Sequence, residues 1–203
     1  MLQFITHPRR DRDIADGVRA ALAGGCRWIQ LRMKEATDAE IVEVGRCVRR
    51  LCTEAGATFI VDDRVDLLEE LNADGVHLGH DDMPVHEARK LFPDKIIGAT
   101  ANTIADMIDA ATSGADYIGL GPFRFTTTKK RLSPVLGIEG YRVAMQAFRE
   151  VSEIPVVAIG GITEADIEPL MATGVTGIAV SGTILDASDP AEQTRLIINL
   201  LHK

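Results

Sequence analysis

Eight short apolar runs constrain this chain more than anything else in it. They fall at residues 2–6, 28–31, 58–61, 75–78, 95–99, 117–120, 155–159 and 177–180. They are rich in β-formers and mostly free of internal polar residues. That is the pattern of strands buried on both faces of a parallel sheet. Between them lie amphipathic stretches. In 38–55, Ile41, Val44, Val48 and Leu51 recur at helical spacing behind Thr37 or Asp38 as a cap. Helices over 15–23, 104–112, 141–151 and 191–201 read the same way. The joins repeat: a glycine, then a small or acidic residue, then the next run, as in Gly114-Ala115-Asp116-Tyr117. Glycine suits a helix C-terminus because it adopts positive φ without strain. The chain of 203 residues gives about 25 residues per βα unit, the lower size range of a (β/α)8 TIM barrel. The expectation is an α/β fold, a single TIM-barrel domain over 1–203, with a doubly wound sheet as runner-up. The longest irregular stretch is 121–136, after the sixth run; loops of that length are usually functional or disordered.

Charge and composition exclude several partners. The net charge is −8 and only 4% of residues are aromatic. Neither a phosphate-tracking basic face nor a base-stacking surface fits those values, so nucleic acid is not an expected partner. No run is long enough to span a membrane. Three cysteines in no metal-ligand spacing, with no leader-like start, point to a reducing compartment, and a cytoplasmic location is expected. A homo-oligomer is left open.

In a barrel, chemistry gathers at the C-terminal ends of the strands, and the polar residues of this sequence fall there. Gln30, Arg32 and Lys34 alternate, so in extended chain they point one way and suit a phosphate or diphosphate. Asp63 and Asp82 follow neighbouring strands and could share one Mg²⁺, which prefers oxygen ligands. They read equally as helix-cap and turn residues, with Asp62 and Asp63 capping a helix that starts near Val65. Thr126-Thr127-Thr128-Lys129 offers hydroxyls and an ammonium to a phosphate, or is an ordinary polar loop. Gly160-Gly161-Ile162-Thr163 and Ser181-Gly182-Thr183 end the last two strands, where barrels often bind phosphate through backbone N–H groups. His77 lies in a strand and is at most a substrate contact. Two anion sites imply two phosphorylated small molecules as substrates.

These segments, in this order and over essentially the whole chain, resemble the thiamine-phosphate synthase (thiamine-phosphate pyrophosphorylase) family. The matching stretches are Gln30-Leu31-Arg32-Met33-Lys34, Asp63-Arg64-Val65-Asp66-Leu67, Gly75-Val76-His77-Leu78-Gly79 and Asp82-Met83-Pro84. Gly121-Pro122 with Thr126-Thr127-Thr128-Lys129, Ile159-Gly160-Gly161-Ile162 and Val180-Ser181-Gly182 complete them. The resemblance implies a transferase that condenses a pyrimidine diphosphate with a thiazole phosphate, with Mg²⁺ as cofactor. It implies that Arg32, Lys34 and Lys129, with Thr126 and Thr128, hold the diphosphate, and that Asp63 and Asp82 ligate the metal. Gln30 and His77, with Asp62 and Thr100 nearby, would face the pyrimidine; Gly160, Gly161, Ser181 and Gly182 would hold the thiazole phosphate. It also exposes departures. Asp62 stands where the family usually has Asn, Thr100 replaces Ser, and Asn102 replaces His. Phe123-Arg124-Phe125 replaces Ile-Phe-Pro, with Arg124 expected to offset Asp62. The alternatives are a thiazole tautomerase-like paralogue and a non-catalytic regulator that binds thiamine phosphates.

Overall fold

A computed structural model describes residues 1–8, 13–125 and 134–202. Eight parallel strands close into a barrel in sequence order: β1 (Leu2–Ile5), β2 (Trp28–Leu31), β3 (Thr58–Asp62), β4 (Gly75–Leu78), β5 (Ile96–Ala101), β6 (Tyr117–Leu120), β7 (Val156–Ile159) and β8 (Gly177–Val180). Helices α1 (Ile14–Ala23), α2 (Asp38–Ala55), α3 (Val85–Leu91), α4 (Ile104–Thr112), α5 (Gly137–Arg149) and α6 (Glu164–Met171) connect successive strands except β3 and β4, and α7 (Gly182–Leu185) and α8 (Pro190–Leu201) both follow β8. The TIM barrel is the observed architecture, and the doubly wound sheet is not.

Local chemistry sets the helix starts. Thr37 and Glu40 form a reciprocal capping box on α2, as do Thr103 with Asp106 on α4 and Thr163 with Asp166 on α6. Between β3 and β4 the expected helix is only a 3-10 turn, Val65–Leu67, preceded by Arg64 with no side-chain cap. Asp62 and Asp63 therefore do not cap a helix; their side chains turn to other partners. Helix α5 starts four residues earlier than its apolar spacing indicates.

The fold has two apolar layers. One lies between strands and helices and includes Phe4, Ile29, Phe59, Tyr141 and Phe148. The other fills the barrel: Ile5, Tyr117, Val157 and Ala179, with Trp28, Ile96 and Ile159 against them. Register partners in a parallel sheet point to the same side. The pairings Asp62↔His77, His77↔Gly98 and Gly98↔Tyr117 put these four residues on one inward row. Gly98 leaves the room into which the Tyr117 ring leans: a Cβ there would stand 2.5 Å from the phenol oxygen and closer still to the ring. Cys26 and Cys52 are buried free thiols and Cys47 is half-buried. No described helix is long and apolar enough to cross a membrane.

Candidate active site

The C-terminal ends of the strands open into a cavity of about 1620 Å³, lined among others by Gln30, Arg32, Lys34, Asp63, Asp82 and Ser181. The loop after β2 delivers two cations to it. Arg32 places Nε 3.5 Å from Asp62, and Lys34 Nζ lies 2.9 Å from Asp63. Arg32 and Lys34 stand beyond Leu31, where the strand has ended, yet both still reach this end of the barrel.

Asp63 has φ 64, a left-handed conformation that few residue types other than glycine, Asn and Asp adopt readily. That turn aims its carboxyl at Asp82, with which it shares a hydrogen bond. Asp82 also accepts from the Gly79 N–H at 2.6 Å. Burial and then Asp63 push the Asp82 carboxyl upward. Burial also works against the charge of Asp63, but Asp82 and Lys34 outweigh it and hold Asp63 below its ordinary value. Of the two carboxyls, Asp63 is thus the more readily ionised. Lys34 loses some charge preference to burial, and its contact with Asp63 more than restores it. Among the described residues no group of three or more His, Cys, Asp or Glu gathers around one point; Asp63 and Asp82 are the two carboxyls in direct contact here.

Asp62 is buried at the floor, 8% exposed. Burial, and then the charge of Asp63, raise its carboxyl pKa; Arg32, Lys34 and the Gln30 amide oppose that rise. Gln30 donates its amide N–H to Asp62 and leaves its own carbonyl oxygen buried without a partner. His77 is engaged on both ring nitrogens, Nδ1 with the Tyr117 hydroxyl at 3.1 Å and Nε2 with the Thr100 hydroxyl at 3.0 Å.

On the opposite wall, Gly160 (φ 104) and Gly161 (φ 65) adopt backbone that L side chains rarely enter. The Ser181 hydroxyl is buried with no hydrogen-bond partner, immediately before α7. Thr183 donates to the Ile162 carbonyl at 2.5 Å and joins the β8 loop to the β7 loop.

Known proteins match this arrangement and its sequence. The family model for thiamine monophosphate synthase matches residues 2–184. The thiamine-phosphate synthases of Phocaeicola vulgatus and Bacteroides thetaiotaomicron are 55% and 53% identical, each match covering 98% of this chain and 97% and 96% of theirs. The chain belongs to the thiamine monophosphate synthase family. The solved structure of thiamine phosphate pyrophosphorylase from Pyrococcus furiosus superposes on this synthase-family chain with a TM-score of 0.89 at 39% identity. That match covers 99% of this chain and 95% of the other.

Within this synthase-family barrel, Gln30, Arg32, Lys34, Asp62, Asp63, His77, Asp82 and Thr100 lie at one side of the cavity, and Gly160, Gly161, Ser181 and Gly182 at the other. Thr126, Thr128 and Lys129 lie outside the described residues. Arg124 does not offset Asp62. Its guanidinium forks onto Asp166 at 2.7 and 2.8 Å and donates to the Gly161 carbonyl at 2.8 Å. A planar fork matches a carboxylate better than a distant buried charge. Sequence reasoning missed this pair and also Gln3 and Tyr117, whose polar ends meet inside the barrel at 3.1 Å. The usable signal for those two was parity, since both occupy inward strand positions where apolar groups are expected.

The Arg124–Asp166 pair has a pH signature. Arg124 holds the Asp166 carboxyl down at about 2. A depressed carboxyl stabilises above its unfolded value and loses that contribution as pH falls through the folded one. Arg124→Ala is therefore expected to lower Tm at neutral pH, and the difference from the native protein should shrink as pH falls from about 4 to about 2. Thermal melts across that range check it.

Proposed function

We propose that this chain joins 4-amino-2-methyl-5-hydroxymethylpyrimidine diphosphate to 4-methyl-5-(2-hydroxyethyl)thiazole phosphate, giving thiamine phosphate and pyrophosphate. One observation carries the reading: a cation-and-carboxylate cluster and a glycine-and-serine phosphate cradle face each other across one cavity. The family supplies the identities of the two substrates.

The donor set suits Mg²⁺. Asp63 and Asp82 bring two hard carboxylate ligands side by side at the barrel mouth, where a cation would relieve their mutual repulsion, and this metal usually completes its shell with water and substrate phosphate. When bound there, Mg²⁺ would supply charge neutralisation for departing pyrophosphate. Arg32 and Lys34 would hold the diphosphate oxygens, and the resemblance implies the same of Thr126, Thr128 and Lys129, which lie outside the described residues. Asp62 holds the Gln30 amide by its N–H, so the partnerless Gln30 oxygen is ready for a donor on the pyrimidine. Ser181 Oγ, with the backbone of Gly160, Gly161 and Gly182, would take the thiazole phosphate; the buried, unpaired hydroxyl is the local observation that fits it.

The bond changes follow. The C–O bond between the pyrimidine methylene and the diphosphate breaks, and its electron pair leaves with pyrophosphate. The resulting pyrimidine-stabilised cation accepts the lone pair of the thiazole nitrogen, forming the C–N bond. No proton need move at the reacting carbon. That agrees with a site whose histidine already has both nitrogens engaged, and electrostatic stabilisation of the leaving group does most of the work. The reaction is placed in the cytoplasm.

Only the extra carboxylate of Asp62 favours a non-catalytic sensor, and Gln30 and Arg32 meet it. Asp62→Asn should still accept from Gln30 while freeing Arg32 for the diphosphate, so turnover is expected to be retained or raised; a large loss would give Asp62 a role of its own. The reading as a whole is tested with purified protein, both substrates and Mg²⁺. Pyrophosphate and thiamine phosphate should appear in equal amounts and stop on chelation. Absence of product under those conditions overturns it.

A further inference from the structure

A chain of hydrogen bonds runs through the barrel interior to the cavity floor. Gln3 on β1 donates its amide N–H to the Tyr117 oxygen on β6 at 3.1 Å. The phenol has one proton to give, and burial keeps its pKa well above the ordinary value. The buried hydroxyl's remaining partner is His77 Nδ1 at 3.1 Å, the acceptor in reach of that proton. A neutral imidazole that accepts at Nδ1 carries its proton on Nε2. Nε2 faces the Thr100 hydroxyl at 3.0 Å. Thr100 then accepts from His77, and its own proton is left for something else. Both His77 and Thr100 line the cavity.

The surroundings hold this chain in place. Gln3, Tyr117 and His77 are 2%, 3% and 7% exposed. Trp28 packs edge-on against the Tyr117 ring at 4.7 Å between centroids. Gly98 and Gly119 clear the room: a Cβ at Gly119 would come within 3.1 Å of His77 Cε1.

We propose that Gln3 and Tyr117 are positioning residues that lock His77 as its Nε2–H tautomer, and thereby make Thr100 a hydrogen-bond donor to an acceptor nitrogen of the pyrimidine ring. The identity of that ligand rests on the function proposed above; the tautomer lock does not. An aminopyrimidine ring nitrogen accepts and cannot donate, so a hydroxyl whose proton is aimed at it binds better than one free to rotate. His77 acts here as a spacer between two hydroxyls, not as an acid or base.

Two measurements test it. Long-range ¹H–¹⁵N NMR of the ligand-free protein at about pH 8, where an ordinary imidazole is neutral, should show His77 protonated on Nε2. Tyr117→Phe should give a mixture of tautomers. In turnover, Tyr117→Phe should raise KM for the pyrimidine diphosphate about tenfold and leave KM for the thiazole phosphate unchanged. Thr100→Val should do the same and Thr100→Ser should restore it. Protonation on Nδ1 in the native protein overturns the proposal. So does a Tyr117→Phe protein that keeps the Nε2–H tautomer, or one that raises both KM values equally, which is what a purely structural role gives. Gln3→Met provides the same readings if Tyr117→Phe does not fold. A native protein with no turnover would refute the proposed function, while its NMR spectrum would still decide the lock.

Discussion

Asp63→Asn is expected to fold as the native protein does and to lose turnover by about a hundred- to a thousandfold. The substitution is clean because of the backbone. Asp63 sits at φ 64, a conformation that Asn tolerates nearly as well as Asp. The amide can still hydrogen-bond Asp82, so no buried acceptor is stranded. What disappears is the charge. Lys34 loses its partner at 2.9 Å, and a divalent cation loses one of its two carboxylates. Activity should fall while Tm moves little, and added Mg²⁺ should recover part of the loss by mass action. Activity within tenfold of native at ordinary metal concentration would remove Asp63 from the metal-holding role. Asp63→Ala is the poorer test, since alanine at positive φ adds strain to the loss of charge.

Gly98→Ala should have the largest effect on stability. The new methyl would stand 2.5 Å from the Tyr117 oxygen and nearer its ring. Tyr117 cannot retreat freely, because Trp28 lies edge-on against it and Gln3 and His77 both bond its hydroxyl. Overpacking of this kind, with displaced buried hydrogen bonds, costs about 3 kcal/mol. In a chain of this size that lowers Tm by roughly 6–12 °C. The clash is specific, so Gly98→Ala combined with Tyr117→Leu should lose less than the sum of the two single changes. Strict additivity would show that the Tyr117 ring does not occupy the space Gly98 leaves.

The contrast between these residues explains what could be read in the sequence. The strands were legible because a strand buried on both faces leaves an uninterrupted apolar run, and 28–31, 75–78, 117–120 and 177–180 coincide with observed strands. The start of α5 was not, because Leu136 makes no side-chain cap bond and Gly137 enters the helix with φ 56. The site was legible where a charged or amide group follows an apolar strand, as with Arg32, Asp63 and Asp82: such a group has nowhere to go but the mouth of the barrel. The partners of those groups were not. Arg124 meets an acid 42 residues away, a pairing that only the closed fold determines. Gln3 and Tyr117 were hidden for the opposite reason, since each sits inside a run that reads as plain core.

The central claim is that this barrel transfers a pyrimidine methylene from diphosphate oxygen to thiazole nitrogen. ¹³C NMR of a substrate labelled at that methylene follows the claim most directly. With the thiazole phosphate, Mg²⁺ and protein present, the labelled signal should move from its oxygen-bonded position to a nitrogen-bonded one, and inorganic pyrophosphate should rise in equal amount. A signal that stays in place, or one that moves only to the free alcohol through hydrolysis, would contradict the account.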